Sequence, residues 1–476
     1  MAPVFPFEIV LDPAGSRQLA LRDALRRAIL DGRLPHGSAL PASRQAASSL
    51  GLSRNTVVAA YDLLLAEGYL QARTKARPIV SGPPQMAAPT TAAPLAARLI
   101  QPIWQQQTVQ AATPGNGSFR LGMPEQRYFP HDVWRRLSAR AQRHWEKTGF
   151  SYPPVEGIAS LREAIAQHAA QTRGVACRPS DVLVSCGAQQ AFTLLARMLV
   201  KPGETEVAVE DPGYGPLRQA LLAAGARLRP VPVDAHGMQI EHLPAQARII
   251  CVTPSHQSPM GVVLSMARRH ALLDWARQHG AVVIEDDYDG EFRFGKRPLD
   301  ALQTLDRSGQ VFYVGTFSKT LFPSLRLGYI IAPPWAQNAL RAVKRSDDGH
   351  TELHSQLVLA DFIRAGHMAR HVRRMQAVYA KRRSVLLEIL ARDFDEVFTI
   401  LPSEAGLHLA TLLRDPASAA AVTAAALQHT PGVEPHAANA IGSVAPGLAF
   451  GYGVIDVASM RRQLSQLRLA LETNGV

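Results

Sequence analysis

Polar and aromatic residues follow four apolar segments of the chain, and each segment has the pattern of a buried β-strand. The strands of a parallel sheet end along one edge, and ligands bind beyond that edge. We therefore expect these side chains to meet in one site. They are Ala188 and Gln189 after 181–185, Tyr214 after 206–210, Asp286 and Tyr288 after 281–285, and Ser318, Lys319 and Arg326 after 311–315.

The chemistry that fits this set of side chains is that of pyridoxal phosphate. Small residues that open a helix expose backbone N–H groups, and the positive end of the helix dipole favours a phosphate. A lysine forms a Schiff base with the cofactor, and a carboxylate keeps the pyridine nitrogen protonated so that the ring accepts electrons. A lone lysine is usually a surface cation, and an aspartate at a strand end is often only a cap. Their combination after successive strands favours the cofactor.

The elements that position these residues alternate between apolar strands and helices. Near-continuous apolar runs are typical of strands buried on both faces, and helices between them indicate an α/β fold. We expect a mostly parallel sheet with flanking helices, followed from about residue 345 by a smaller C-terminal subdomain. The predicted strands are 181–185, 206–210, 248–253, 281–285 and 311–315, and helices are predicted over 188–200 and 266–279.

The first 80 residues read as three helices followed by a weak hairpin over 69–80. Ser43 and Ser53 are placed to cap the second and third helices, and Gly51 is placed to end the second. Two short helices joined by a turn that contains glycine form the helix-turn-helix pattern. The sequence therefore predicts a DNA-binding block at this end of the chain.

Seven residues of the block are candidates for contact with duplex DNA. The fork of an arginine matches the acceptors of guanine, and the first turn of a recognition helix meets base edges and phosphates. Each arginine taken alone is more often a solvated surface charge. The candidates are Arg44 in the second helix, Ser53, Arg54, Asn55 and Thr56 at the start of the third, and Lys75 and Arg77 in the hairpin.

A shift in composition separates the two regions. Residues 81–118 contain six prolines and one charged side chain, Arg98, which indicates a semi-rigid linker. The predicted domains are 1–80, 81–118 and 119–476. The formal net charge of +12 over 476 residues favours anionic partners such as nucleic acid.

Cysteine usage and hydropathy limit the class of protein. The three cysteines are too far apart for a disulfide framework, no apolar run reaches the roughly 18 residues of a membrane span, and no secretory signal is recognised. We expect a cytoplasmic protein without a membrane segment. His350 and His354 are four residues apart without a third ligand, so we predict a helix start there and no metal site.

Longer strings of residues carry a family resemblance. ALPASRQAASSLGLSRNTVVAAYDLLLAEGYL (39–70) resembles the winged helix-turn-helix of GntR-family regulators, although 74–78 lacks the usual Gly-x-Gly turn of the wing. Residues 119–476 resemble fold-type I aminotransferases of the aspartate aminotransferase family. That likeness rests on VTPSHQSPMG (252–261), IEDDYDGEF (284–292) and VGTFSKTLFPSLRLGY (314–329). As a whole, the chain resembles the MocR-type regulators, in which a GntR-type DNA-binding domain is fused to an aminotransferase-like domain.

The resemblance implies a role for each site residue. Lys319 would form the aldimine, and Asp286 would pair with the pyridine nitrogen. Tyr288 would pair with the ring hydroxyl, and Tyr214 would stack on the ring. The phosphate would be held by Ala188, Gln189, Ser318 and Arg326, and reached from the neighbouring subunit by Tyr152. A tyrosine shared in this way implies a homodimer.

Two positions depart from the aminotransferase pattern. Ser258 replaces the asparagine that lies beside the ring hydroxyl of the cofactor. Ala449 replaces the arginine that binds the substrate carboxylate, unless His408 or Arg345 takes that role. A charge-assisted bond to a carboxylate is worth about 1.5–3 kcal/mol, so we expect inefficient turnover of ordinary amino acids.

Three functions remain open on these grounds. The chain is a transcription regulator that senses pyridoxal phosphate or a small amine adduct of it, or an active aminotransferase with an accessory DNA-binding domain. Alternatively, it is a repressor whose large domain only dimerises. We favour the first, with double-stranded operator DNA as partner. Among the MocR-type branches we favour the one that regulates pyridoxine metabolism.

Overall fold

The computed structural model describes residues 4–11, 15–73, 76–81, 99–105, 117–148, 151–295, 300–473 and 475. The chain divides into two compact units, Met1–Gln106 and Gln107–Val476. This division falls inside the segment predicted as a linker. Each unit has its own hydrophobic core. In the described part of the chain, no helix combines the length and apolar character that a membrane crossing requires.

The first unit packs three helices around one small core. Its buried residues include Leu21 and Leu25 from the first helix and Val57 and Leu64 from the third. The hydroxyl of buried Tyr61 donates to the carbonyl of Pro41 at 3.1 Å. The elements are α1 (Arg17–Leu30), α2 (Ser43–Leu50), α3 (Arg54–Ala66), β1 (Leu70–Gln71), β2 (Ile79–Val80) and, further along the chain, α4 (Pro102–Gln105).

The turn between α2 and α3 is fixed by local interactions. Gly51 ends α2 in the left-handed conformation, with φ of 64°, and Ser53 caps α3 by accepting from the amide of Thr56 at 3.1 Å. Ser43 does not cap α2 as predicted, because it is already the first helical residue and Ala42 occupies the cap. The predicted hairpin is present, since Leu70 pairs with Val80 in antiparallel register.

The second unit alternates strands and helices, as predicted, and its later part is rich in helices. Its helices are α5 (His131–Thr148), α6 (Ala159–Arg173), α7 (Ala188–Leu199), α8 (Gly215–Ala223), α9 (Met266–His279), α10 (Leu302–Leu305), α11 (Gln337–Asp347), α12 (Leu353–Arg364), α13 (His367–Asp393), α14 (Ala419–His429) and α15 (Val457–Thr473). Its strands are β3 (Val182–Ser185), β4 (Glu206–Asp211), β5 (Arg227–Asp234), β6 (Gly237–Met238), β7 (Ala247–Val252), β8 (Val282–Asp287), β9 (Val311–Thr316), β10 (Gly328–Ile331), β11 (Phe398–Ile400), β12 (His408–Leu413), β13 (Glu434–Pro435) and β14 (Gly447–Gly451).

Eight strands form the central sheet, in the order β3-β10-β9-β8-β7-β4-β5-β6. The five strands from β9 to β5 are mutually parallel, whereas β10 is antiparallel to both of its neighbours and β6 is antiparallel to β5. The fold class is therefore the predicted one, a mostly parallel sheet between helices. The parallel strands all end at the same edge, which is where the candidate site lies.

A second, antiparallel sheet has the order β11-β12-β14-β13 and belongs to the C-terminal part of the unit. Its strand β14 pairs with β12 on one side and β13 on the other, so that Ala449 lies opposite Ala410 and Glu434. The stretch around His350 is a helix start, as predicted, because the carboxylate of Glu352 caps α12.

Candidate functional site

A cavity of about 360 Å³ lies beyond the ends of the parallel strands. It collects all eight residues that the sequence placed after four separate strands. Its lining comprises Leu121, Gly122, Ala188, Gln189, Tyr214, Pro216, Ser258, Asp286, Tyr288, Thr316, Ser318, Lys319, Pro323, Arg326, His408, Glu434 and Asn439. A site built from strand ends and helix starts is the arrangement that open α/β sheets use for ligands.

Lys319 follows β9 and reaches the cavity in a tight space. Gly122 has φ of 62°, and a Cβ atom built there would lie only 2.9 Å from the Lys319 Nζ. Any larger residue at position 122 would therefore crowd the amine. Burial lowers the pKa of Lys319, against the opposing effect of the Asp289 and Asp286 carboxylates. A lowered pKa favours the neutral amine, which is the nucleophilic form.

Asp286 is the buried carboxyl group at the end of β8. Its Oδ1 atom has no hydrogen-bond partner among the described residues. The Oδ1 atom of the adjacent Asp287 also lacks one, but its Oδ2 accepts from Arg173 and from the hydroxyl of Tyr313. Burial, with the charges of Asp287 and Asp289, raises the pKa of Asp286 well above its usual range. A buried carboxylate without a partner is unfavourable, so this atom fits a ligand that brings its own N–H cation.

The opposite end of the cavity is suited to an anion. Gly187, with φ of 80°, precedes the first turn of α7, so that Ala188 and Gln189 stand at a helix N-terminus. Arg326 lies close by and donates to the Cys186 carbonyl at 2.9 Å. The hydroxyl of Ser318 lies 3.1 Å from that of Thr316. Backbone amides, a guanidinium and two hydroxyls are the groups that hold phosphates.

A hydrogen-bonded group containing histidine lies beside the phenol of Tyr288. The Nδ1 atom of His256 is 3.1 Å from the Tyr288 hydroxyl and 3.0 Å from the Asp289 carboxylate. The ring of His408 is tilted by 42° to that of His256, with centroids 4.1 Å apart, and burial lowers the pKa of His408 well below its usual value. His256, Asp289 and His408 thus bring ligand-type atoms within 4.8 Å of one another. The absence of a metal site remains a prediction.

The position where an aminotransferase would bind its substrate carboxylate has a different character here. Ala449 is fully buried in an apolar cluster with Met260, Val262 and Ala410. Arg345, an alternative considered from the sequence, lies exposed on α11 and does not line the cavity. His408 does line it.

Several lining residues were missed by reasoning from the sequence. Glu434 and Asn439 come from a strand of two residues and the short 3-10 helix after it (His436–Asn439), and Leu121 and Gly122 precede the first helix of the unit. None of these follows an apolar strand, so the rule that found the other residues does not apply to them. Only the left-handed conformation of Gly122 has a recognisable sequence signal, the glycine itself.

Tyr152 lies outside the cavity of its own chain. Its side chain is 91% exposed and makes an edge contact with the ring of His350, with centroids 5.8 Å apart. Large aromatic residues with this exposure are enriched at interfaces between proteins. Its contact with a neighbouring subunit stays a prediction.

Six of the seven candidate DNA-binding residues lie within the described part of the chain. Arg44, Arg54, Asn55 and Arg77 are exposed. Ser53 and Thr56 close the cap of α3, with their hydroxyl oxygens 2.8 Å apart, and Lys75 lies outside the described residues. A groove lined by Arg73 and Arg77 from the hairpin and by residues of α2 and α3 adds Arg73, which was not predicted.

Comparisons with known proteins agree with both halves of the molecule. The model of bacterial regulatory proteins of the gntR family matches residues 17–79, and that of aminotransferase class I and II matches residues 121–441. The chain is 38% identical to the probable rhizopine catabolism regulatory protein MocR of Rhizobium meliloti, covering 96% of this chain and 94% of that protein. It is 30% identical to the HTH-type pyridoxine biosynthesis transcriptional regulator PdxR of Corynebacterium glutamicum, covering 94% of each.

Among solved structures, LysN of Thermus thermophilus is an alpha-aminoadipate aminotransferase complexed with N-(5'-phosphopyridoxyl)-L-leucine. It matches with a TM-score of 0.70 and 27% identity, over 79% of this chain and 98% of that one. Fold, site and these likenesses define a transcriptional regulator in which a GntR helix-turn-helix is joined to an aminotransferase-like domain of fold type I. The chain belongs to the MocR-type regulators of this class.

Proposed function

We propose that this protein is a cytoplasmic transcription regulator that binds operator DNA through its first unit and holds pyridoxal phosphate in the cavity of its second. Pyridoxal phosphate, or its adduct with a small amine, is the effector. The observation that carries this proposal is the buried Oδ1 atom of Asp286, which lacks a partner among the described residues in a cavity that also contains Lys319. A protonated pyridine nitrogen is the partner that such an atom requires.

The chain's own residues divide the binding of the cofactor between them. Asp286 would accept from the pyridine nitrogen, and Tyr288 with Ser258 would bind the ring hydroxyl. Tyr214 would cover the face of the ring, and Lys319 would attach the cofactor covalently through Nζ. The phosphate would be held by Ala188, Gln189, Ser318 and Arg326. When bound, the cofactor supplies a carbonyl group that captures primary amines.

The decisive experiment is the visible spectrum of the purified protein with and without added pyridoxal phosphate, followed by operator binding in both states. We expect a bound-cofactor band that borohydride reduction fixes to the protein, and an operator affinity that changes with cofactor occupancy. If the protein binds its operator but takes up no cofactor, the proposal is wrong and the second unit serves only as a dimerisation scaffold.

We also propose that the protein is a homodimer through its second unit. The exposed ring of Tyr152 supports this, because the family resemblance places it at the cofactor phosphate of the partner. The two DNA-binding units of the dimer would then bind two half-sites of an operator.

The alternative function is an active aminotransferase with an accessory DNA-binding unit. It is favoured by the cavity, which places Lys319, Asp286 and Tyr288 together as an aminotransferase would. It is disfavoured by the buried Ala449, which provides no cation for a substrate carboxylate. Rapid loss of the cofactor band on mixing with common amino acids would establish turnover, and we expect that this conversion is slow.

A further inference from the structure

The charged residues that line the cavity, among those the structure describes, are two acids and two cations. The acids are Asp286 and Glu434, and the cations are Lys319 and Arg326. Pyridoxal phosphate would account for three of the four, because Asp286 would accept from the pyridine nitrogen, Lys319 would bond to the carbonyl carbon and Arg326 would bind the phosphate. The carboxylate of Glu434 is the one that the cofactor does not use.

Glu434 is held in place by the loop that follows it. The amide nitrogen of Asn439 donates to its Oε2 at 3.2 Å, and the carbonyl of Asn439 accepts from the amide of Gly213 at 2.9 Å. The carboxylate of Asp211, at the end of β4, binds two further amides of this loop at 2.7 and 2.8 Å. These bonds tie Glu434 to the edge of the central sheet on which the cavity is built.

Glu434 occupies the place from which an amino acid would be recognised. It pairs across the sheet with Ala449, the residue that stands where aminotransferases carry their carboxylate-binding arginine. His408, which also lines the cavity, is 1% exposed, its Nε2 atom has no described hydrogen-bond partner, and burial keeps it neutral by lowering its pKa. A carboxylate here would meet a like charge at Glu434 and an uncharged imidazole at His408.

We propose that the effector is a small primary amine without a carboxylate group, which carries a hydroxyl or a second ammonium group that donates to Glu434. This inference rests on the proposed function, since it names the amine that shares the cavity with the cofactor. An anionic acceptor in a cavity whose histidine is neutral recognises donors and cations and rejects carboxylates, because discrimination uses the repulsive contact as well as the attractive one. The effector is accordingly not the cofactor alone.

Matched pairs of ligands test the proposal directly. Ethanolamine and serine differ by one carboxylate, and so do putrescine and ornithine. Titration calorimetry on protein that shows the full cofactor band should give each amine an affinity at least about tenfold greater than that of its amino acid, the effect of about one charge-assisted contact. Because the cofactor band is recorded first, failure of this preference is distinguishable from failure of the proposed function.

Two variants assign the preference to its residue. In Glu434→Gln, amine binding should weaken by roughly tenfold or more and the discrimination against serine and ornithine should shrink, while the cofactor band persists. Glu163→Gln removes an exposed acid of α6 and serves as the control, with unchanged affinities. If Glu434→Gln leaves the affinity for the amines unchanged, the proposal is overturned.

Arg120 lies next to the cavity-lining Leu121 in the chain, and it could instead bind the carboxylate of an amino acid. That result would contradict the proposal. The Arg120 guanidinium lies close enough to Lys319 to lower the pKa of that amine. If serine and ornithine bind as tightly as their amines, and Arg120→Ala abolishes that binding, Arg120 is a carboxylate site and the effector is an amino acid.

Discussion

Lys319 is the residue on which the cofactor proposal can be tested most directly. Replacing it with alanine removes the amine that attaches the cofactor, and the added space beside Gly122 leaves the packing of β9 unchanged. We expect Lys319→Ala to lose the borohydride-reducible cofactor while its far-ultraviolet circular dichroism stays the same. Lys201→Ala, at an exposed lysine before β4, is a suitable control. The same covalent adduct in the Lys319 variant would contradict the assignment.

Arg54 is the matching test in the first unit. It is exposed at the start of the capped helix α3, where a side chain enters the major groove. Arg54→Ala should weaken operator binding by about 1–3 kcal/mol if it reads a base, with relaxed specificity at one position. A phosphate contact would instead weaken all sequences alike and reduce the salt slope by about one. Titrations at several salt concentrations, with Arg33→Ala as control, separate these results from no contact at all.

Among the helices and strands, those whose signal lies in neighbouring residues could be predicted from the sequence. The five predicted strands are present as β3, β4, β7, β8 and β9, and helices α7 and α9 are present as predicted, because their apolar runs and periods are intact. Strand β5 (Arg227–Asp234) was missed because Pro230 and Pro232 interrupt it, which is tolerated near the edge of the sheet. Antiparallel β10 and the short β13 depend on pairing with distant residues, and Glu434 was missed with β13.

A buried ion pair joins the long helix α13 to the start of the second unit. Burial raises the pKa of Glu125, but hydrogen bonds from Arg127 and Arg382 outweigh it and lower that pKa to about 2. The hydroxyl of Tyr379, also on α13, accepts from the Glu125 amide at 2.9 Å. The charged carboxylate thus contributes stability above its unfolded pKa near 4.5, and that contribution is lost as the pH falls toward 2.

We therefore predict that Glu125→Gln lowers the free energy of unfolding of the second unit by about 2 kcal/mol at neutral pH, since a buried arginine loses its counter-charge. The difference from the unmodified protein should shrink between pH 4.5 and 2, because both proteins then lack the charge. Urea titrations across this range measure it. A difference independent of pH would mean that the packing of Glu125, and not its charge, stabilises the helix.

At the scale of the whole molecule, the prediction concerns the dimer. Light scattering of the cofactor-loaded protein should give twice the chain mass, and Tyr152→Phe should retain that mass while weakening cofactor binding by roughly tenfold, the effect of about one hydrogen bond to a phosphate. Tyr152 does not line the cavity of its own chain. Weaker cofactor binding in Tyr152→Phe would therefore indicate that the hydroxyl acts on the cavity of the partner subunit. A monomer at working concentration would contradict the shared site.

Arg326 has a further consequence for how this protein responds to selection. It is held at φ of 53°, a left-handed conformation that costs a residue with a side chain about 1 kcal/mol and glycine almost nothing. Arg326→Gly would relieve this strain but lose the hydrogen bond to the Cys186 carbonyl, which is worth about as much, so a screen for heat resistance without pyridoxal phosphate should leave it near neutral. A screen for cofactor sensing should remove it, because the phosphate loses its guanidinium. Sensing thus retains a strained backbone torsion for which stability alone gives no clear reason.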